Sequence, residues 1–328
     1  MSLPGGNMAK AGAVARIITR NLLILFLALL VVGTIIAGGE LRIERNDLGK
    51  VYKFYPKNDS SLLDTIGGYF SATWKFLRDP PEVRGESLET FVVKSFALLV
   101  LTEVFLLAVG LFLGLRAGYY RGWIDKVVSV LAPTLSAMPS WFIGVVFLFL
   151  FYWKLSLFPI NFEGTINWAE VHGTLSTSTY LRALALPVLT LVFSSLWEYA
   201  FNVRNMIVNE RNGDHVLYDV ARGLPEGRIM RKLLRTALPA FLTFTTYNFL
   251  EILTGMMLIE VIFNIHGLGY LMAISFGLTR IGDGFGFAYA PEILFFATAV
   301  MMLFYFINAV VMEGLYLYLD PRSGGERQ

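Results

Sequence analysis

The 328-residue sequence is 55% hydrophobic and only 16% charged, with a net charge of +2 and a mean hydropathy of +0.59. A soluble domain of this length could not bury so much apolar surface, and the small net charge excludes a chain that binds nucleic acid through its overall charge. The absence of cysteine excludes disulfides, thiolate metal sites and cysteine nucleophiles.

A helix that crosses a bilayer needs roughly 20 mostly apolar residues. Taken along the chain, six stretches satisfy this: Asn21–Gly38, Phe91–Leu115, Val127–Trp153, Tyr180–Val203, Leu238–Phe263 and Pro291–Leu319. Their backbone groups cannot go unpaired in lipid, and their apolar runs do not alternate as barrel strands do. The expectation is therefore an all-α polytopic membrane protein with six transmembrane helices. The first span is long for a signal peptide and is read as an uncleaved anchor.

Between the first and second spans lies a polar, aromatic-rich segment, Gly39–Thr90, with Tyr52, Phe54, Tyr55, Tyr69, Phe70, Trp74 and Phe76. That aromatic content predicts a small folded outer cap rather than a disordered linker. The organisation expected is thus a cytoplasmic N-terminus and first helix over 1–38, an extracytoplasmic cap over 39–90, a five-helix core over 91–319 and a cytoplasmic tail over 320–328. Basic residues set the orientation. Arg16 and Arg20, then Arg116 and Arg121, then the run from Arg204 to Arg235, then Arg322 and Arg327 all fall on one side when both termini are cytoplasmic.

No phosphate-binding loop, His-Glu-x-x-His or Gly-x-Ser-x-Gly pattern occurs. The glycine-rich stretch Gly282–Gly286 follows no predicted strand and reads as an outer loop. His172, His215 and His266 lack metal-ligand spacing, so no metal site is expected. No cofactor is expected either. The remaining classes are transport, channel formation and a structural role.

The segment between the fourth and fifth spans, 204–237, carries the most information. Tyr218 to Ala221 suit a short helix, Gly223 breaks it, and Pro225 and Glu226 suit the first turn of a second helix. Leu224, Ile229, Leu233 and Leu234 supply an apolar stripe opposite the basic residues. On these grounds alone the segment is either a surface amphipathic helix pair or a docking element.

The order Tyr218, Ala221, Arg222, Gly223, Leu224, Glu226, Arg228 resembles the coupling loop of membrane subunits of ATP-binding-cassette importers, in particular the oligopeptide/dipeptide permease family. Further segments resemble that family in the same order: Gly114 to Asp125, Ser136 to Gly144, Leu186 to Leu191, Glu260 to Gly269 and Glu313 to Arg322. The sequence departs from the family's pattern in the compressed Ala221-Arg222-Gly223, in Asp219 for the usual loop-start acid, and in His266 where proline is common. The resemblance implies a non-enzymatic permease subunit, with ATP hydrolysis on two cytoplasmic ATPase subunits, a second homologous permease subunit, an extracytoplasmic solute-binding protein and a surrounding lipid bilayer. Oligo- or dipeptides are the solute it points to first, with oligosaccharides or nickel chelates as alternatives within the family. A secondary transporter or channel is the alternative outside it.

By the same resemblance, Tyr218, Asp219, Ala221, Arg222, Gly223, Leu224, Glu226 and Arg228 couple the subunit to its ATPase, with Gly223 either a hinge or an ordinary helix-end glycine. Glu103, Glu198, Glu251, Glu260, Asn308 and Glu313 fall within spans, where a polar or ionisable group is costly unless it faces the bundle or a path. Glu251, deepest in its span, leads the candidates for the translocation pathway, followed by Asn308 and Glu260. Pairing with a neighbouring span is the alternative for Glu251, and an architectural role for Glu260.

Overall fold

A computed structural model describes residues 5–38, 41–45, 51–56, 61–275, 278–281, 284–287 and 290–319. The expected tail over 320–328 lies outside these residues, as do residues 282 and 283 of the glycine-rich stretch.

The chain is a helical bundle. Among the described residues, five helices are long and apolar enough to cross a membrane: α1 (Gly5–Gly38), α3 (Leu88–Tyr120), α7 (Thr177–Arg211), α9 (Glu226–Ile262) and α11 (Pro291–Leu319). The sixth expected span is not one helix. Where the sequence predicts a continuous span over Val127–Trp153, the chain forms α4 (Gly122–Leu135) and α5 (Ser140–Phe147), and the α5 segment, prolonged by a π-helical stretch over Leu148–Lys154, is bent by 105° from α4. Pro139 is the cause in the sequence: it disfavours helix in Met138 and itself starts α5 as its N-cap residue.

Shorter helices join these: α2 (Leu62–Arg78), α6 (Phe162–Val171), α8 (Asp214–Ala221) and α10 (Leu268–Ser275). Several begin on a side-chain oxygen. Ser61 caps α2 through Asp64 N, Asn161 caps α6 through Gly164 N, and Ser176 caps α7 through Thr179 N. Three small antiparallel ribbons complete the described residues: β1 (Leu41–Arg45) with β2 (Val51–Pro56), β3 (Glu82–Val83) with β4 (Glu86–Ser87), and β5 (Leu278–Ile281) with β6 (Gly284–Phe287). The glycine-rich stretch read as a loop thus ends in a paired strand.

The closest helix packing is between α3 and α7. Gly110, Gly114 and Gly118 lie on one face of α3, and a Cβ on Gly114 would stand 2.5 Å from Val203 Cβ and 2.7 Å from the Ala200 carbonyl oxygen. Small residues at four-residue spacing let two backbones meet where lipid supplies no hydrophobic drive. The α7–α9 seam is tied by the buried Tyr199 hydroxyl, 2.9 Å from Thr245 Oγ1. Around these seams Leu98, Leu106, Leu186, Leu191, Met256 and Ile259 form the main core. By contrast, α1 packs on the rim against α11 and α2.

Candidate functional site

At one end of the bundle α8 projects between α7 and α9. Its inner side is fixed by Val216, packed with Tyr119, Ile207, Ile229, Leu233 and Ala237, and by Asp219, whose carboxylate accepts two hydrogen bonds from Lys232 Nζ at 2.7 and 2.8 Å. Its outer side carries Leu217, Tyr218 and Val220, which are 66%, 64% and 57% exposed, with Ala221 also exposed. The Arg222 guanidinium lies over the Tyr218 ring at 5.4 Å.

The helix closes on a glycine. Gly223 has φ +72, Gly223 N donates to Val220 O at 2.9 Å, and Leu224 N donates to Asp219 O at 3.1 Å. This is the two-bond ending that a left-handed residue permits. Nothing in this chain lies within 4 Å of a Cβ placed on Gly223, so conformation rather than close approach sets its need for glycine. The chain then turns directly into α9 at Pro225 and Glu226. The second helix expected from the sequence is not separate. It is the first turns of the fifth span's helix, which runs on through Pro239. Arg228, Arg231, Lys232 and Arg235 line a surface cavity of about 460 Å³ on those turns.

The ends of α3, α4 and α7 are bound to each other beside this element. Arg204 Nε donates to Asp125 Oδ1 at 2.7 Å, and Arg211 donates to the Tyr119 carbonyl. Asp125 and Arg204 are 79 residues apart, and the pairing is not readable from the sequence.

Inside the bundle, the α4–α5 break opens a second cavity of about 460 Å³, lined among others by Ser140, Ser194, Ser195, Glu251, Thr254 and Gly255. Glu251 accepts from Asn248 Nδ2 at 3.2 Å, and the charge that acts on it is that of Glu198 on α7. The predicted pathway residues are therefore not brought together. Asn308 is on α11, with its Oδ1 buried and unpartnered, and does not line this cavity. Glu260 is fully buried and accepts from Ser95 Oγ at 2.5 Å, Gly269 N at 2.6 Å and Tyr270 N at 3.3 Å. It caps the start of α10, which is an architectural position.

The end opposite α8 holds a cluster that the sequence does not suggest. Lys94 Nζ donates to Glu86 at 2.7 Å and to Glu163 at 2.5 Å, and His266 Nδ1 lies 2.5 Å from Glu86 Oε1. Burial pushes the Glu86 carboxyl up, but hydrogen bonds and charge from Lys94 and His266 more than offset this and hold it below its ordinary value. The ligand atoms of Glu86, Glu163 and His266 lie within 4.8 Å of one another. The Lys94 ammonium lies against both carboxylates and offsets part of their charge. A wide groove of about 1150 Å³, lined by Trp153, Trp168 and Arg182 among others, opens at the same end.

These features fit one known group of proteins. Residues 110–324 match the family model described as binding-protein-dependent transport system inner membrane component. Among curated relatives, the chain is 27% identical over 258 residues to the probable D,D-dipeptide transport system permease protein DdpB of Escherichia coli, covering 73% of this chain and 72% of that one. It is 26% identical over 256 residues to a putative peptide transport system permease protein of Brucella abortus, covering 77% and 76%. It is also 27% identical over 180 residues to the metal-staphylopine import system permease protein CntB of Staphylococcus aureus, where it spans about half of the relative, 53%.

Proposed function

This chain belongs to the family of binding-protein-dependent transport system inner membrane components, and we propose that it carries peptides as one of two permease subunits of an ATP-binding-cassette importer. The observation that carries the reading is α8: a short helix with an exposed apolar side, seated on the ends of α7 and α9 and locked to α9 by Asp219 and Lys232. A helix so placed can receive a push from a docked protein and pass it to two membrane-crossing helices as a rigid unit. The partner is a cytoplasmic ATPase subunit, one for each permease subunit, so ATP is hydrolysed outside this chain.

In this reading the α8 end and both termini are cytoplasmic, an orientation supported by the basic run from Arg204 to Arg235. The end holding α6 and α10 then meets the external solute-binding protein. Glu251 and the serine-lined cavity at the α4–α5 break form part of the path, because a carboxylate on an exposed face of a crossing helix must meet water, a solute or another subunit rather than lipid. Peptides are the solute favoured by the relatives' names. The test is uptake of labelled dipeptides, loaded on the binding protein, into vesicles holding the assembled complex. ATP-dependent accumulation is expected, and accumulation without nucleotide would contradict the reading.

A further inference from the structure

We infer that α2 is a membrane-boundary helix that slants from the headgroup layer into the acyl region, with its exposed apolar side against lipid, at the end of the bundle opposite α8. Three observations carry this. The first is that α2 has three sides, not two. At about 100° per residue, Ile66, Tyr69, Thr73 and Phe76 share one side, and this side faces α1 and α11. Ile66 and Tyr69 are only 5% and 3% exposed. A second apolar side, turned by about 90° from the first, holds Leu63, Phe70, Trp74 and Leu77. Leu63, Trp74 and Leu77 are 79%, 58% and 61% exposed. The polar residues Asp64, Ser71 and Lys75 occupy the third side. A helix covered by protein and otherwise wet needs only two sides. A helix lying at a membrane boundary beside a bundle needs these three.

The second observation is depth. Ile66 packs on Gly33 of α1, and Tyr69 and Phe70 pack on Phe295 of α11. Gly33 lies five residues before the end of α1, and Phe295 four residues after the start of α11. At 1.5 Å per residue, these contacts lie about 6–8 Å in from the ends of two crossing helices. These two contacts lie in the boundary layer, and the Phe70 ring reaches further down, to Phe26 twelve residues (about 18 Å) before the end of α1, so α2 slants from the headgroup layer into the acyl region.

The third is continuity. The Phe70 ring lies 6.1 Å from that of Phe26, and Phe26 belongs to an exposed apolar surface of α1 that includes Leu23 and Leu27. The exposed side of α2 therefore continues the surface that a rim helix turns to lipid. Trp74, with the Arg78 guanidinium 4.8 Å above its ring, supplies the aromatic and basic pair suited to a headgroup layer. A lipid partner follows for this side, while the third side and the ribbon β1–β2 are left to other contacts.

The chain has no cysteine, so single spin labels can be placed without removing native residues. L63C, W74C and L77C, each labelled in the assembled complex in bilayer discs of phosphatidylethanolamine and phosphatidylglycerol, are compared with S71C and K75C on the polar side and L23C on α1. The first three labels are expected to favour collision with oxygen over a water-soluble nickel chelate, as L23C does. The polar-side labels should show at least a several-fold lower ratio. Ratios for the three equal to those of S71C would overturn the inference, as would shielding from both reagents, which would mean that a second subunit or the binding protein covers this side. A separate measurement avoids the cysteine variants: lipids brominated high on the acyl chain should quench part of the native tryptophan emission, and W74F should lose that part. Unchanged quenching in W74F would equally overturn the inference.

Discussion

Lys232, on the second turn of α9, holds the carboxylate of Asp219 on α8 through two hydrogen bonds of 2.7 and 2.8 Å. Asp219 is nearly buried, its side chain 8% exposed, whereas Lys232 is 54% exposed. The pair spans the glycine turn, so α8 cannot tilt without moving the start of the long helix. Most of its value is thus geometric, since a half-exposed ion pair stabilises by about 1 kcal/mol or less.

Removing this tie separates stability from coupling. Asp219→Ala is expected to lower the melting temperature of the purified complex only slightly, and to reduce substrate-stimulated ATP hydrolysis several-fold while basal hydrolysis persists. Lys232→Met should give the same pattern. Parallel thermal-shift and ATPase assays check this.

Gly223 should tolerate substitution by backbone class rather than by size. Its φ of +72 costs an ordinary residue about 1–2 kcal/mol, and open space surrounds its Cβ position. Gly223→Asn should therefore keep most of the stimulated hydrolysis, because asparagine accepts this conformation. Gly223→Val should lose most of it, with the protein still inserted in the membrane. Equal activity in the two variants would show that the turn does not control α8.

The spans and the family segments are local patterns, and the sequence displays them. Continuous apolar runs fix α3 and α11 to within a few residues, but α1 starts at Gly5, well before its apolar stretch, and α7 and α9 extend well past theirs. Arg204 to Arg211 and Glu226 to Arg235 are polar yet helical, because neighbouring helix ends pack against them. The α4–α5 bend is hidden in the run Val127–Trp153: hydropathy does not register a proline that turns the chain. The proposed coupling residues from Tyr218 to Arg228 stand together in the sequence as in the fold, because they lie within one turn and two helix ends. The Lys94 cluster and the Asp125–Arg204 pair are not, since each joins residues 69 or more positions apart, apart from the Lys94–Glu86 link within α3's approach. The four-residue spacing of Gly110, Gly114 and Gly118 is present in the sequence, but nothing there points to α7 as the helix they meet.

The cluster at the opposite end should show its own acid dependence. In the fold the Glu86 carboxyl is held below its ordinary value by Lys94 and His266. A lowered carboxylate contributes stability that is present above its unfolded value and is lost as pH falls through the folded one. Melting temperatures of the native protein and Glu86→Gln should thus differ near neutral pH, with the variant lower. The gap should begin to narrow as pH falls below about 4 and close further down, as the folded carboxyl takes up its proton. A gap that stays constant across this range would remove Glu86 from the account.

The central claim, that α8 is the surface on which an ATPase subunit acts, is tested most directly by site-specific crosslinking in the assembled complex. A photoreactive group on a single cysteine at Leu217, 66% exposed on α8, is compared with one at Trp153, 73% exposed at the opposite end. L217C should form an adduct with the ATPase subunit, and its yield should change when ATP is bound. W153C should form none with that subunit. An ATPase adduct from W153C, or no ATPase adduct from L217C in a complex that hydrolyses ATP, would contradict the account.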